Sequence, residues 1–300
     1  MDLLDQEQAH LAMKKHGKSF HFAKKLLGRD SSQKIERLYY FCRTVDDLVD
    51  EASSYEEASQ TLTNVKRDIN KKKSSIPWVN DYLDLCERNK IEPNLGITLI
   101  DGVLSDTGNV HIKTKSQLIQ YAYSVAGVVG QMMCPLLEAK SGAEQFAIDL
   151  GIAMQLTNIA RDVLTDAKLN RIYIPAEWLP DFSPERILAY KDEDKLAVQG
   201  AIKKILDTSE QYYNSAFKGL AYLPAMNAIA IKVAGKVYRA IGLKLSKRQY
   251  AYWLNRTYTT KFEKIKIALH AILTGVNRTE PEHNRILHEP LQLAVENANR

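Results

Sequence analysis

Apolar residues recur at spacings of three and four along most of the chain, the pattern of helices with one buried face. From about Asp30 to Glu51, Ile35, Leu38, Cys42, Val45 and Val49 mark one such face. The same periodicity predicts helices at roughly 56–72, 78–89, 94–106, 115–137, 143–166, 184–217, 223–246 and 259–275. Four pairs have capping-box spacing, in which a polar N-cap precedes an acid or amide three residues on: Asp30 with Gln33, Ser53 with Glu56, Thr114 with Gln117, and Thr260 with Glu263. Pro175 and Pro180 bracket a loop. Strand-type alternation, internal repeats and dividing linkers are absent from the sequence. The expectation is one all-α domain over residues 1–276, followed by a polar, loosely held tail at 277–300.

Two helices carry polar stripes through apolar surroundings. In IAMQLTNIARDVLTDA (152–167), Gln155, Asn158, Asp162 and Asp166 step by three, four and four, so they share one face. Ile152, Leu156, Ile159 and Val163 lie elsewhere around the helix and can pack. In LYYFCRTVDDLVD (38–50), Tyr39, Arg43, Asp46 and Asp50 step by four, three and four, flanked by Phe41, Val45, Leu48 and Val49. A single DxxxD spacing is what chance gives about once in a chain this long, and it most often marks a solvated face. A pair of stripes points elsewhere. If both faced one cavity, four carboxylates would repel and some would take up protons. A hard divalent cation such as Mg²⁺ removes that conflict, because it takes oxygen ligands and bridges to substrate phosphates. Tyr39, Tyr123 and Tyr238 could line an apolar pocket with a polar rim; each alone is equally a core tyrosine with its hydroxyl satisfied.

Composition narrows the classes. The 300 residues are 45% hydrophobic and 26% charged, ordinary for a globular chain. A net charge of +5 is too mild to argue for nucleic acid; it suits anionic substrates, weak attraction to anionic lipid, or plain solubility. Cys42, Cys86 and Cys134 form no CxxC and read as reduced thiols of a cytoplasmic protein. The N-terminus shows no signal-peptide pattern, and no run reaches the roughly 18 apolar residues a spanning helix needs.

DDLVD (46–50) and NIARDVLTDA (158–167) resemble the two aspartate-rich motifs of the squalene/phytoene synthase family. The resemblance continues through HGKSF (16–20), FCRTVDD (41–47), YSVAGVVGQMM (123–133), RIYIPAEWL (171–179) and KVYRAIG (236–242), in the family's order and over nearly the whole chain. It implies an isoprenoid-synthase helical bundle around a central cavity. It also implies head-to-head condensation of two allylic diphosphates, with carotenoid biosynthesis as the setting. Asp46, Asp50, Asn158, Asp162 and Asp166 would hold Mg²⁺, two or three ions, with Mn²⁺ as a substitute. His16, Lys18, Ser19, Phe20, Tyr39, Arg43, Tyr123, Gln155, Arg161, Arg171 and Tyr238 would bind the prenyl diphosphates. The wording at 155–166, 171–179 and 236–242 is closest to bacterial phytoene synthases, which favours geranylgeranyl diphosphate as substrate and phytoene as product, with no NADPH. HGKSF is close to the HSKSF form shared with dehydrosqualene synthases, Gly17 being the departure, so a C30 product from farnesyl diphosphate is the alternative. Phe20, Phe22, Val125 and Val129 are positional candidates for chain-length selection. Some relatives are non-catalytic assembly factors that have lost acidic residues; here the four motif aspartates stand. Peripheral contact with the inner face of a membrane would serve release of an apolar product. Mutual repulsion in the stripes leads to the expectation that removing Asp46 or Asp162 leaves metal-free stability unchanged or slightly raised.

Overall fold

A computed structural model describes Met13 and residues 18–106 and 110–292. The helices are α1 (Lys18–Lys24), α2 (Arg29–Asp50), α3 (Tyr55–Asn70), α4 (Pro77–Asn89), α5 (Asn94–Leu104), α6 (Lys115–Ala122), α7 (Val128–Leu136), α8 (Glu144–Lys168), α9 (Pro184–Ala189), α10 (Asp192–Lys218), α11 (Ala225–Lys247) and α12 (Lys261–Leu273). The architecture is all-α; the nearest approach to a sheet among the described residues is an isolated parallel bridge between His111 and Ile172.

Two apolar clusters build the core. One gathers α2 to α5 with α7, including Leu38, Phe41, Val45, Leu62 and Leu85. The other surrounds α8, α10 and α11, including Ile152, Leu156, Ile159, Ile205 and Val237. Most apolar positions that the periodicity assigns to the two striped helices are buried: Phe41, Val45 and Val49 on α2, and Ile152, Leu156, Ile159 and Val163 on α8. Leu48 and Cys42 are partly buried, Cys42 because it lines a cavity. Burial of each such side chain contributes on the order of 1.5–3 kcal/mol. α8 runs between α7, α10 and α11. Its approach to the neighbouring rod is set by glycine: a Cβ at Gly151 would sit 2.2 Å from the Ala126 carbonyl oxygen, and one at Gly130 would sit 2.1 Å from that of Ala147.

Several elements differ from the sequence expectation. The segment read as one helix over 115–137 is interrupted by a π-helical turn, Tyr123–Gly127. The segment read as one helix over 184–217 breaks at Tyr190, whose φ of 31° is left-handed. Asp30 is not an N-cap; Gly28 is, and Asp30 falls in the first turn. The second box is shifted by one residue: Ser54 caps α3, accepting from the Glu57 N–H, while Glu57 reaches back to Ser53. Thr114 caps α6 as expected, and Thr260 with Glu263 forms the full box. The polar segment after Asn277 is not loosely held as far as residue 292. Tyr222 Oη donates to the Pro281 carbonyl at 2.8 Å, Tyr212 Oη to that of Leu287 at 2.7 Å, and Gln120 Nε2 to that of Pro290 at 2.8 Å.

Candidate active site

The aromatic and amide ends of the two stripes line one cavity of about 270 Å³ where the core clusters meet; of the stripe carboxylates Asp46 is in the lining, and Asp50, Asp162 and Asp166 lie outside it. Tyr39, Cys42 and Asp46 come from α2, Gln155 and Asn158 from α8, and Tyr238 from α11. The other walls are apolar, among them Leu38, Val125, Val129, Phe146, Met154 and Ile231. The volume is about nine times the share of one liquid water, yet the walls offer water few partners, so a hydrocarbon chain is the better occupant. Both stripes run from an aromatic or amide end (Tyr39, Gln155) to an acidic end (Asp50, Asp166).

The acidic ends are electrostatically costly for the protein alone. Asp46 and Asp50 occupy the last two turns of α2, and Asp162 and Asp166 those of α8. Helix C-termini carry negative potential from unpaired carbonyls and favour cations, not acids. Burial, with Asp50 and Asp106 nearby, pushes Asp46 up to about 7. Burial and the charge of Asp162 push Asp166 up to about 7, against the pull of Arg171. Asp106 is pushed up to about 6 by burial, against hydrogen bonds from Tyr121 and Tyr173. Asp46 and Asp166 both feel Asp106, so the carboxylates of the two helices share one electrostatic field.

Guanidinium groups hold the remaining acids. Arg171 lies 3.7 Å from Asp50, and its charge also acts on Asp106 and Asp166. The chain brings it there through a turn in which Asn170 is left-handed (φ 60°) and the Arg171 N–H donates to the Asp166 carbonyl at 2.9 Å. Asp162 accepts from Arg161 and, bidentately, from Arg256 at 2.8 and 2.9 Å. Burial alone would raise Asp162; the two arginines outweigh it and hold it below the usual carboxylate range. Arg43 pairs with Asp47 one turn along α2. Burial pushes Tyr39 up to about 12, with Tyr238 and Asp46 adding to the rise.

The donor set fits a hard divalent cation. It consists of oxygens, and two of them, Asn158 Oδ1 and Asp106 Oδ1, are buried without a hydrogen-bond partner. No three stripe carboxylates come within 4.8 Å of one another among the described residues.

Five of the predicted residues, Tyr39, Asp46, Gln155, Asn158 and Tyr238, line the cavity, and Arg43, Asp50, Arg161, Asp162, Asp166 and Arg171 belong to the charged network linked to it through Asp46 and Asp106. Tyr123 does not reach the cavity lining; it sits in the π turn, packed between the two core clusters. Lys18, Ser19 and Phe20 belong to α1, but their side chains, like all of His16, lie outside the described residues. Phe22 packs against the α8 cluster, and Val125 and Val129 line the cavity. Asp106, Tyr121, Tyr173 and Arg256 were not singled out from sequence. Asp106 follows the end of α5, and Arg256 lies in the segment between α11 and α12, where no periodicity flags a site. Tyr173 was legible only as part of RIYIPAEWL.

The family model for squalene/phytoene synthase matches residues 13–263. A phytoene synthase from Pseudescherichia vulneris is 34% identical over 280 residues, covering 88% of this chain and 90% of that protein. A 15-cis-phytoene synthase from Enterobacter agglomerans is 30% identical over 290 residues, covering 91% and 98%. Among solved structures, a dehydrosqualene synthase in complex with ligand superposes with a TM-score of 0.80 at 25% identity, covering 90% of this chain and 96% of that one.

Proposed function

Because the chain belongs to the squalene/phytoene synthase family, we propose that it is a prenyltransferase joining two geranylgeranyl diphosphates head to head to give phytoene. The observation that carries this reading is the pair of acidic helix ends at one end of an apolar, tyrosine-edged cavity. The diphosphate belongs at the acidic end and the prenyl tails between the helices.

Asp46, Asp50, Asn158, Asp162 and Asp166 would hold Mg²⁺, which supplies Lewis-acid stabilisation of the departing diphosphate when bound. Arg43, Arg161 and Arg171 would contact the diphosphate, where guanidinium groups bind bidentately; the family resemblance adds His16, Lys18, Ser19 and Phe20 to the substrate-binding set. Arg256 joins them by its place on Asp162. Tyr39 and Tyr238 present electron-rich faces to the allylic cation, and Gln155 orients the chain beside them. The apolar walls exclude water that would quench the cation. The second donor's double bond attacks the cation to give a tertiary cation, and loss of a proton, with the departed diphosphate available as acceptor, closes the ring to a cyclopropylcarbinyl diphosphate. Its ionisation and rearrangement, followed by proton loss, give the central alkene without a hydride donor.

The second reading, a C30 product from two farnesyl diphosphates, is favoured by the dehydrosqualene synthase likeness. Incubation with each diphosphate separately, with Mg²⁺ and no NADPH, separates the two by product mass. Phytoene from the C20 substrate is expected; turnover of the C15 substrate alone would transfer the assignment to the C30 reading.

The enzyme works in the cytoplasm and touches the membrane peripherally. No helix among the described residues is long and apolar enough to span one. α12 instead exposes Phe262, Ile265, Leu269, Ile272 and Leu273 beside Lys261 and Lys266, while Ala268 and Ala271 face the core. An apolar face flanked by lysines suits an anionic lipid surface.

A further inference from the structure

α8 carries one more acidic residue, remote from the stripes in its interactions. Asp149 is fully buried, and each of its oxygens meets an imidazole: Oδ2 lies 2.8 Å from His283 Nε2, and Oδ1 lies 2.8 Å from His288 Nε2. The histidine side chains are 5% and 14% exposed, and their rings stand 4.5 Å apart. His283 precedes and His288 ends a single 3₁₀ turn, Arg285–His288, capped by Asn284, whose Oδ1 accepts from the Ile286 N–H. Among the described residues this is the one set of three metal-donor side chains with ligand atoms within 4.8 Å of one another.

We propose that Asp149, His283 and His288 form a site for a zinc-class divalent transition ion that clamps the C-terminal segment onto α8. The donor types decide the class of ion. Two imidazoles and one carboxylate suit Zn²⁺, Co²⁺ or Ni²⁺, whereas Mg²⁺ prefers the all-oxygen stripes. Three protein ligands leave a fourth tetrahedral position for water. A buried carboxylate is costly unless its charge is compensated, and a divalent ion held between Asp149 and the two imidazoles compensates it. The ligand atoms must open from 2.8 Å to about 3.4 Å, the span of two bonds of roughly 2.0–2.2 Å at a tetrahedral angle. The clamp also backs the cavity: His283 meets the ring of Phe146 edge-on at 5.1 Å, and Phe146 lines the apolar wall. This inference does not depend on the prenyltransferase reading.

The test uses the full chain, stripped by a chelator and titrated with Zn²⁺ in excess Mg²⁺ to keep the stripes supplied. One tightly bound zinc per chain is expected by equilibrium dialysis, with Tm raised about 4 °C at a hundredfold excess over Kd. His283→Gln and His288→Gln keep an N–H donor for Asp149 but lose the imidazole; each should weaken zinc binding at least tenfold and abolish the Tm shift. Wild-type protein that binds no zinc, or variants that bind it unchanged, would overturn the proposal. If the variants do not fold, X-ray absorption of zinc-loaded wild type decides. Two imidazoles with oxygen neighbours support the site, and sulfur from Cys42, Cys86 or Cys134 rejects it.

Discussion

The guanidinium of Arg171 lies 3.7 Å from the Asp50 carboxylate, and this contact joins the acidic end of α2 to the turn that leaves α8. Asp50 is half exposed, so the ion pair itself contributes little to stability. Its value lies in placing a fixed cation among Asp50, Asp106 and Asp166, where a diphosphate would sit. Arg171→Gln is therefore expected to lower kcat/KM by roughly a hundredfold, comparable to losing one electrostatic stabiliser of a transition state. The metal-free Tm should move by less than about 3 °C. A large loss of Tm with intact turnover would reassign Arg171 to a structural role.

The pH dependence of metal-free stability follows from Asp46 and Asp166, each pushed up to about 7. In the unfolded chain both ionise near 4. The folded state thus holds the protons more tightly, and stability is lost as pH rises through 7. Between pH 6 and pH 8 each group removes about 1 kcal/mol. The double variant Asp46→Asn/Asp166→Asn should flatten this slope, and thermal melts at both pH values check it. An unchanged slope would show that the two carboxylates are not the groups responsible.

The two aspartates of the facing stripes should behave oppositely when removed from metal-free protein. Asp46→Asn relieves a buried, repelled charge and leaves Tm at pH 8 equal or higher. Asp162 is not a repelled charge, contrary to the sequence expectation: it is the shared partner of Arg161 and Arg256. Asp162→Ala strands two guanidinium groups and should cost roughly 1–3 kcal/mol, tempered by the exposure of Arg256. Equal Tm changes in the two variants would contradict this electrostatic picture. Both variants should lose turnover.

The helical framework and the two stripes were legible because both rest on one rule, the 3.6-residue period that sorts buried from polar positions along a helix. Ile152, Leu156 and Ile159 had to pack, so Gln155, Asn158, Asp162 and Asp166 had to face elsewhere. What period cannot reveal is a partner supplied by another segment. Arg256 reaches Asp162 from 94 residues away, and His283 reaches Asp149 from 134. The tail looked loosely held because its anchors are long-range hydrogen bonds and two scattered leucines, Leu287 and Leu291, with no helical periodicity to reveal them. The π turn at Tyr123–Gly127 was hidden for a related reason: one extra residue in a turn leaves composition unchanged.

Membrane contact through α12 predicts co-sedimentation with anionic vesicles that falls with salt. Phe262→Asp/Leu273→Asp, at positions 78% and 85% exposed, should reduce vesicle binding at least tenfold while leaving Tm within about 2 °C. Binding unaffected by the double substitution would remove α12 as the contact.

The joint action of the two stripes is tested most directly by anomalous diffraction from crystals grown with Mn²⁺ and the unreactive thiolo analogue of geranylgeranyl diphosphate. The expected map places manganese between Asp46 or Asp50 of α2 and Asn158, Asp162 or Asp166 of α8, bridged by the diphosphate, with the prenyl chain along Val125, Val129 and Met154. Manganese confined to one stripe, or a diphosphate bound away from both, would contradict a shared site.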